Sequence, residues 1–113
     1  MPWYKVAEAS EGKQPEVRRV NAGGKNICLI NDGGKYFATQ LRCPHAGGDL
    51  GAGWCAEGKL VCPLHRYSYN LQTGRGSEGQ GDYISTYEVK VEDGGVFVRI
   101  DTFIQKLKHL FGN

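Results

Sequence analysis

Three Gly-Gly pairs, each with Asn or Asp within the two residues before it, cut this chain into short pieces: Asn21-Ala22-Gly23-Gly24, Asn31-Asp32-Gly33-Gly34 and Glu92-Asp93-Gly94-Gly95. Such clusters between β-rich runs mark hairpins, because Gly adopts the backbone angles that tight turns need and Asn or Asp bonds back to its own backbone. The runs between them are short. Trp3 to Ala7, Glu16 to Val20, Ile27 to Ile30 and Lys35 to Leu41 read as strands, and their spacing predicts an antiparallel meander. Thr86 to Val91 alternates as a half-buried strand should, and Val96 to Ile100 closes a hairpin with it. The 17 glycines in 113 residues support many turns, being about twice the usual share of about 7%. The expected class is all-β.

A chain of 113 residues fits one domain, 1–113, with a modest core. Its net charge of +2 is mild and its Lys and Arg are scattered, which argues against nucleic acid as a partner. Met1 to Lys5 lacks the basic-then-apolar pattern of a secretory signal, and no apolar run approaches the roughly 20 residues of a membrane span. The expectation is a cytoplasmic protein without a transmembrane segment. Its four Cys are then metal ligands, buried residues or catalytic groups rather than a disulfide frame. At the end of the chain, Phe103, Ile104, Leu107, Leu110 and Phe111 share one face, which predicts a short helix over about 102–111. That helix either packs on the sheet or docks a partner or membrane surface.

The middle, about 43 to 82, has a different character. It is rich in Gly, Cys, His and Pro, with short strand candidates only at Lys59 to Val61 and Tyr67 to Tyr69. A long irregular stretch with Cys and His in a small domain points to function. Two motifs stand there, Cys43-Pro44-His45 and Cys62-Pro63-Leu64-His65. Each offers one thiolate and one imidazole, donors that suit iron–sulfur iron or zinc. Pro44, Pro63, Gly47 and Gly48 can fix or turn the two loops into a clip around one centre. A single tetrahedral zinc is the plain alternative, although zinc sites usually draw both thiols from one segment. Colour separates the two, since zinc is colourless.

The spacing Cys43-x-His45 with Cys62-x-x-His65 resembles the signature of Rieske [2Fe–2S] proteins. The likeness extends through Ala46-Gly47-Gly48-Asp49-Leu50 in the first loop and Tyr69-Asn70-Leu71-Gln72-Thr73-Gly74 after the second. The resemblance implies an antiparallel β-sandwich or barrel with a cluster-binding subdomain at about 43–75, to which the tail helix is an addition. It implies one [2Fe–2S] cluster, with Cys43 and Cys62 on an inner iron and His45 and His65 on an outer one. Tyr69, Leu50 and Leu64 would surround it, the Tyr69 hydroxyl donating to a cysteine sulfur. Imidazole ligation raises the potential to about −150 to +300 mV, against about −400 mV for plant-type ferredoxins. It also makes the potential fall with pH once a ligand imidazole deprotonates in the oxidised form.

Several positions depart from the high-potential members of that family. The paired loop cysteines are absent, and Tyr67 stands where those proteins have a Ser that donates to a bridging sulfide. Fewer donors to sulfur predict a low potential, near that of the ferredoxins of oxygenase systems. Arg66 replaces the usual Gly after the second His, and Gly76 to Asp82 lacks the Pro often found in the covering loop, which predicts a looser lid. Cys28 reads as a buried small hydrophobe, and Cys55 as structural or, less simply, as a redox-active thiol. Arg42, Arg66 and Arg75 form either a solvated rim or a basic collar for acidic partners.

The implied function is one-electron transfer from a donor flavin reductase to an acceptor oxygenase, with no substrate chemistry in this chain. Beyond the two ligand imidazoles only His109 remains, too few for the separate iron site of an oxygenase. The alternatives are a small subunit of an assimilatory nitrite reductase and a redox- or iron-responsive binding protein.

Overall fold

The computed structural model of the chain describes residues 2–9, 15–44, 47–64 and 66–100. The tail-helix region, about 102–111, lies outside these residues. Among the described residues, ten strands form three antiparallel sheets. The strands are β1 (Trp3–Glu8), β2 (Glu16–Ala22), β3 (Lys25–Asp32), β4 (Lys35–Gln40), β5 (Trp54–Ala56), β6 (Lys59–Val61), β7 (Ser68–Asn70), β8 (Thr86–Tyr87), β9 (Val89–Glu92) and β10 (Gly95–Arg99). The sheet orders are β1-β10-β9, β2-β3-β4-β8 and β5-β6-β7.

Strand β3 explains how the three sheets share one molecule. Its run Ile27-Cys28-Leu29-Ile30 is buried throughout. Successive side chains of a strand point to opposite faces. Ile27 and Leu29 pack with Ala38, Val96, Val98 and Ile100 toward the β1-β10-β9 sheet. Cys28 and Ile30 pack with Leu50, Leu60, Tyr69, Leu71 and Ile84 toward the β5-β6-β7 sheet. A strand covered on both sides needs an unbroken apolar run, and this chain supplies one. Cys28 is fully buried, as expected for a small hydrophobe. Burial pushes its thiol up to about 12, partly offset by a hydrogen bond with Thr39, its cross-strand neighbour.

The Asn/Asp-Gly turns form the predicted β2-β3, β3-β4 and β9-β10 hairpins, with Asn21 and Asn31 side chains accepting from Gly24 and Gly34 N–H at 3.0 and 2.7 Å. Two expectations change. The meander holds for β2-β3-β4 but excludes β1, which pairs with β10 from the far end of the chain. The alternating run Thr86 to Val91 is not one strand. Thr86 and Tyr87 pair with β4, whereas Val89 onward pairs with β10. The chain crosses from one sheet to the next at Glu88, whose carbonyl accepts from Arg99 N–H at 3.0 Å. Alternation survives such a crossing because it records only side-chain direction, not the pairing partner. Val91, on the edge strand β9, is 53% exposed.

Candidate metal centre

The β5-β6-β7 sheet and the segments before it form a platform for both cysteine loops. Asp49 caps a single 3-10 turn, Leu50–Ala52, by accepting from Gly51 N–H at 2.8 Å, and it also meets the exposed Arg19 guanidinium. Leu50 is buried beneath the two loops, beside Leu60. The first loop folds back on itself: Cys43 N–H donates to the Gly48 carbonyl, and Gly47 N–H to the Cys43 carbonyl, each at 2.8 Å. The second is closed by Cys62 N–H donating to the Tyr67 carbonyl at 2.7 Å. Neither the 3-10 turn nor β5 is among the sequence expectations. Tyr67 to Tyr69 shifts by one residue to Ser68–Asn70.

These closures bring the two sulfurs together. Cys43 and Cys62 are buried free thiols, near enough for Cys43 to act on Cys62 electrostatically. Burial raises the Cys62 thiol, while the Leu64 backbone N–H, directed at its sulfur, lowers it. Gly48 makes this approach possible: a Cβ there would stand 3.1 Å from Cys62 Sγ and 3.0 Å from Leu64 Cδ1. The loops rise from buried cysteines to exposed tips, with Pro44, Gly47, Pro63 and Arg66 all exposed and Leu64 exposed by 45%. His45 and His65 lie outside the described residues. Among the described residues, no cluster of three or more His, Cys, Asp or Glu converges, so the cysteines stand as a pair.

Tyr69 lies under this pair with its ring fully buried. Its hydroxyl is 3.2 Å from Cys43 Sγ and donates to Asp82 Oδ2 at 2.9 Å. The Gly76–Asp82 loop is not loose, although it lacks Pro. Gln80 accepts from Ser68 N–H at 2.9 Å and donates to the Ser68 carbonyl at 3.0 Å, and Ser77 N–H donates to that same carbonyl at 3.0 Å. Side-chain and backbone bonds to β7 hold here what a proline would otherwise restrict. Asp82 and Gln80 carry no pattern that marks them in the sequence; only the polar character of the loop hints at them. Arg66 has φ +56, a left-handed conformation that explains why Gly suits this position. Cys55, on β5, is half-buried, and burial, then nearby Asp32, push its thiol up to about 11.

Two buried thiols from separate loops, packed side by side against glycine backbone, fit a metal held between the loops. A β-sandwich carrying a small third sheet with such a pair defines an iron–sulfur class. The chain belongs to the Rieske [2Fe–2S] domain family, whose model matches residues 2–88. The cofactor of that domain is one [2Fe–2S] cluster. Among relatives, the 3-phenylpropionate/cinnamic acid dioxygenase ferredoxin subunit of Shigella flexneri is 36% identical over 95 residues, covering 82% of this chain and 86% of that protein. Human apoptosis-inducing factor 3 is 30% identical over 95 residues, covering 83% of this chain, which spans only 16% of that relative. The ferredoxin–oxygenase complex of carbazole 1,9a-dioxygenase matches with a TM-score of 0.76 and 28% identity over 88% of this chain and 97% of that one. Among the described residues, no helix is long and apolar enough to cross a membrane.

Proposed function

We propose that this chain is a ferredoxin that carries one electron from a flavin reductase to a terminal oxygenase, acting in the cytoplasm and doing no substrate chemistry of its own. The observation that carries this reading is the buried Cys43–Cys62 pair at the base of two exposed loop tips. Similarity along nearly the whole length of a dioxygenase ferredoxin subunit supports the partner class. Cys43, Cys62, His45 and His65 would hold the cluster, in a subdomain of about 43–75. When bound, the cluster supplies a reversible one-electron couple. The chain's own part is to exclude water from the sulfurs with Leu50, Leu60 and Tyr69, and to expose the loop tips to a partner.

The Leu64 N–H is directed at the Cys62 sulfur, and Tyr67 stands where high-potential members of the family have a Ser that donates to a bridging sulfide. A low potential follows, because the added charge of the reduced state is poorly stabilised. Protein produced with ample iron and sulfide contains equimolar inorganic sulfide and, when reduced, shows the resonance of a mixed-valence iron pair. It accepts an electron from a flavin reductase and passes it to a Rieske-type oxygenase. Absence of sulfide and of that resonance rules out the reading, and a titrated potential well above zero rules out the low-potential assignment.

A further inference from the structure

The Tyr69 hydroxyl stands between two groups that both want its hydrogen. A phenol has one O–H to give. In the metal-free chain the Cys43 thiol brings its own hydrogen, so sulfur, phenol and carboxylate are all satisfied at 3.2 and 2.9 Å. A cysteine that binds metal does so as thiolate, without that hydrogen. Sulfur and the Asp82 carboxylate then compete for one donor. The carboxylate has the shorter contact and is the stronger acceptor.

Asp82 is built into this position. Its backbone carbonyl accepts from Gly76 N–H at 2.8 Å. Its Oδ1 accepts from Gln80 Nε2 at 3.2 Å, leaving Oδ2 for Tyr69. Gln80 cannot flip its amide, because Ser68 N–H meets its oxygen and the Ser68 carbonyl meets its nitrogen. The Gly76–Asp82 loop therefore delivers an acceptor to Tyr69 in a fixed orientation.

We propose that Asp82 is a positioning residue that draws the Tyr69 proton away from the Cys43 sulfur and so holds the reduction potential of the centre down. The assignment rests on Cys43 being a cluster ligand, as proposed above. Two effects act in the same direction. The sulfur loses a hydrogen bond that would stabilise the reduced state, and a carboxylate charge near the centre disfavours an added electron.

The two effects separate in a double-mutant cycle of Asp82→Asn and Tyr69→Phe, read as reduction potential at one pH and ionic strength. In Asp82→Asn the Gln80 donor keeps the new amide oxygen on its own side, so the amide nitrogen faces the phenol oxygen and the hydroxyl turns to sulfur. The one-electron equilibrium shifts toward the reduced form by about tenfold, which is ~59 mV. Tyr69→Phe changes the potential little when Asp82 is present and lowers it when Asp82→Asn is also present. An Asp82→Asn protein with the wild-type potential overturns the assignment. So does an equal fall on Tyr69→Phe in both backgrounds, which would mean the hydroxyl already serves the sulfur. If Asp82→Asn does not fold, Asp82→Ala carries the same comparison, since it leaves sulfur as the nearer acceptor. Inorganic sulfide and the mixed-valence resonance are measured on each protein. Their absence from the wild type removes the ligand reading itself, whereas a loaded wild type with unmoved variants removes only the role of Asp82.

Discussion

Gly48 packs the first cysteine loop against the second. A methyl group there meets Cys62 Sγ at 3.1 Å and Leu64 Cδ1 at 3.0 Å, so the sulfur and the Leu64 side chain must each give by a few tenths of an ångström. Overpacking of this kind costs roughly 1–3 kcal/mol. Gly48→Ala is expected to lower the thermal midpoint and to reduce iron and sulfide per chain, because the shift acts directly on the sulfur pair. Full occupancy in that variant would show that the loops tolerate a wider spacing. The two remaining cysteines give a pH-dependent test. Cys55, held up to about 11 against an ordinary 9.0, has on the order of a hundredfold less thiolate at neutral pH than an unperturbed thiol. Its alkylation in the loaded protein should rise about tenfold per pH unit and keep rising past pH 9, since the proton leaves only near the raised value. A plateau near pH 9 would contradict the raised value. Cys28, fully buried and pushed up to about 12, should label only on unfolding.

The Gly76–Asp82 loop and β7 behave as one element. Gln80 makes hydrogen bonds to both backbone groups of Ser68 and to the Asp82 carboxylate, so one side chain ties the covering loop to the strand that carries Tyr69. Gln80→Ala leaves the half-buried Ser68 N–H without this acceptor, a loss of about 1–3 kcal/mol. Faster hydrogen exchange at the Ser68 amide and a lower denaturation midpoint are the expected results, and unchanged protection would show that the loop is held from elsewhere. The hairpins were legible for a local reason: Asn21, Asn31 and the following glycines make their turns within four residues. The covering loop was not legible, because its order comes from partners on another strand.

At the scale of the molecule, the charge pattern bears on association. Arg42, Arg66 and Arg75 are all exposed, and Arg42 and Arg66 adjoin the cysteine loops in sequence, on a chain whose net charge is only +2. A basic rim there would steer an acidic partner and act on association rate more than on lifetime. Reversing Arg42 or Arg66 to Glu should slow association with the reductase or the oxygenase several-fold at low salt, with the difference shrinking as salt rises. Stopped-flow electron transfer over a salt series checks this, and salt-independent rates would return these residues to a plain solvated rim.

The two cysteine motifs, the turns and the apolar run of β3 are properties of residue type and short spacing, which act over a few residues and so are written in the sequence. Tertiary structure alone decided that β1 closes on β10, that the chain changes sheets at Glu88 and that Asp82 reaches Tyr69. Each of these joins residues far apart in sequence or reassigns a pairing partner. Alternation and turn chemistry record which way a side chain points, whereas the partner is chosen by burying both faces of β3 at once.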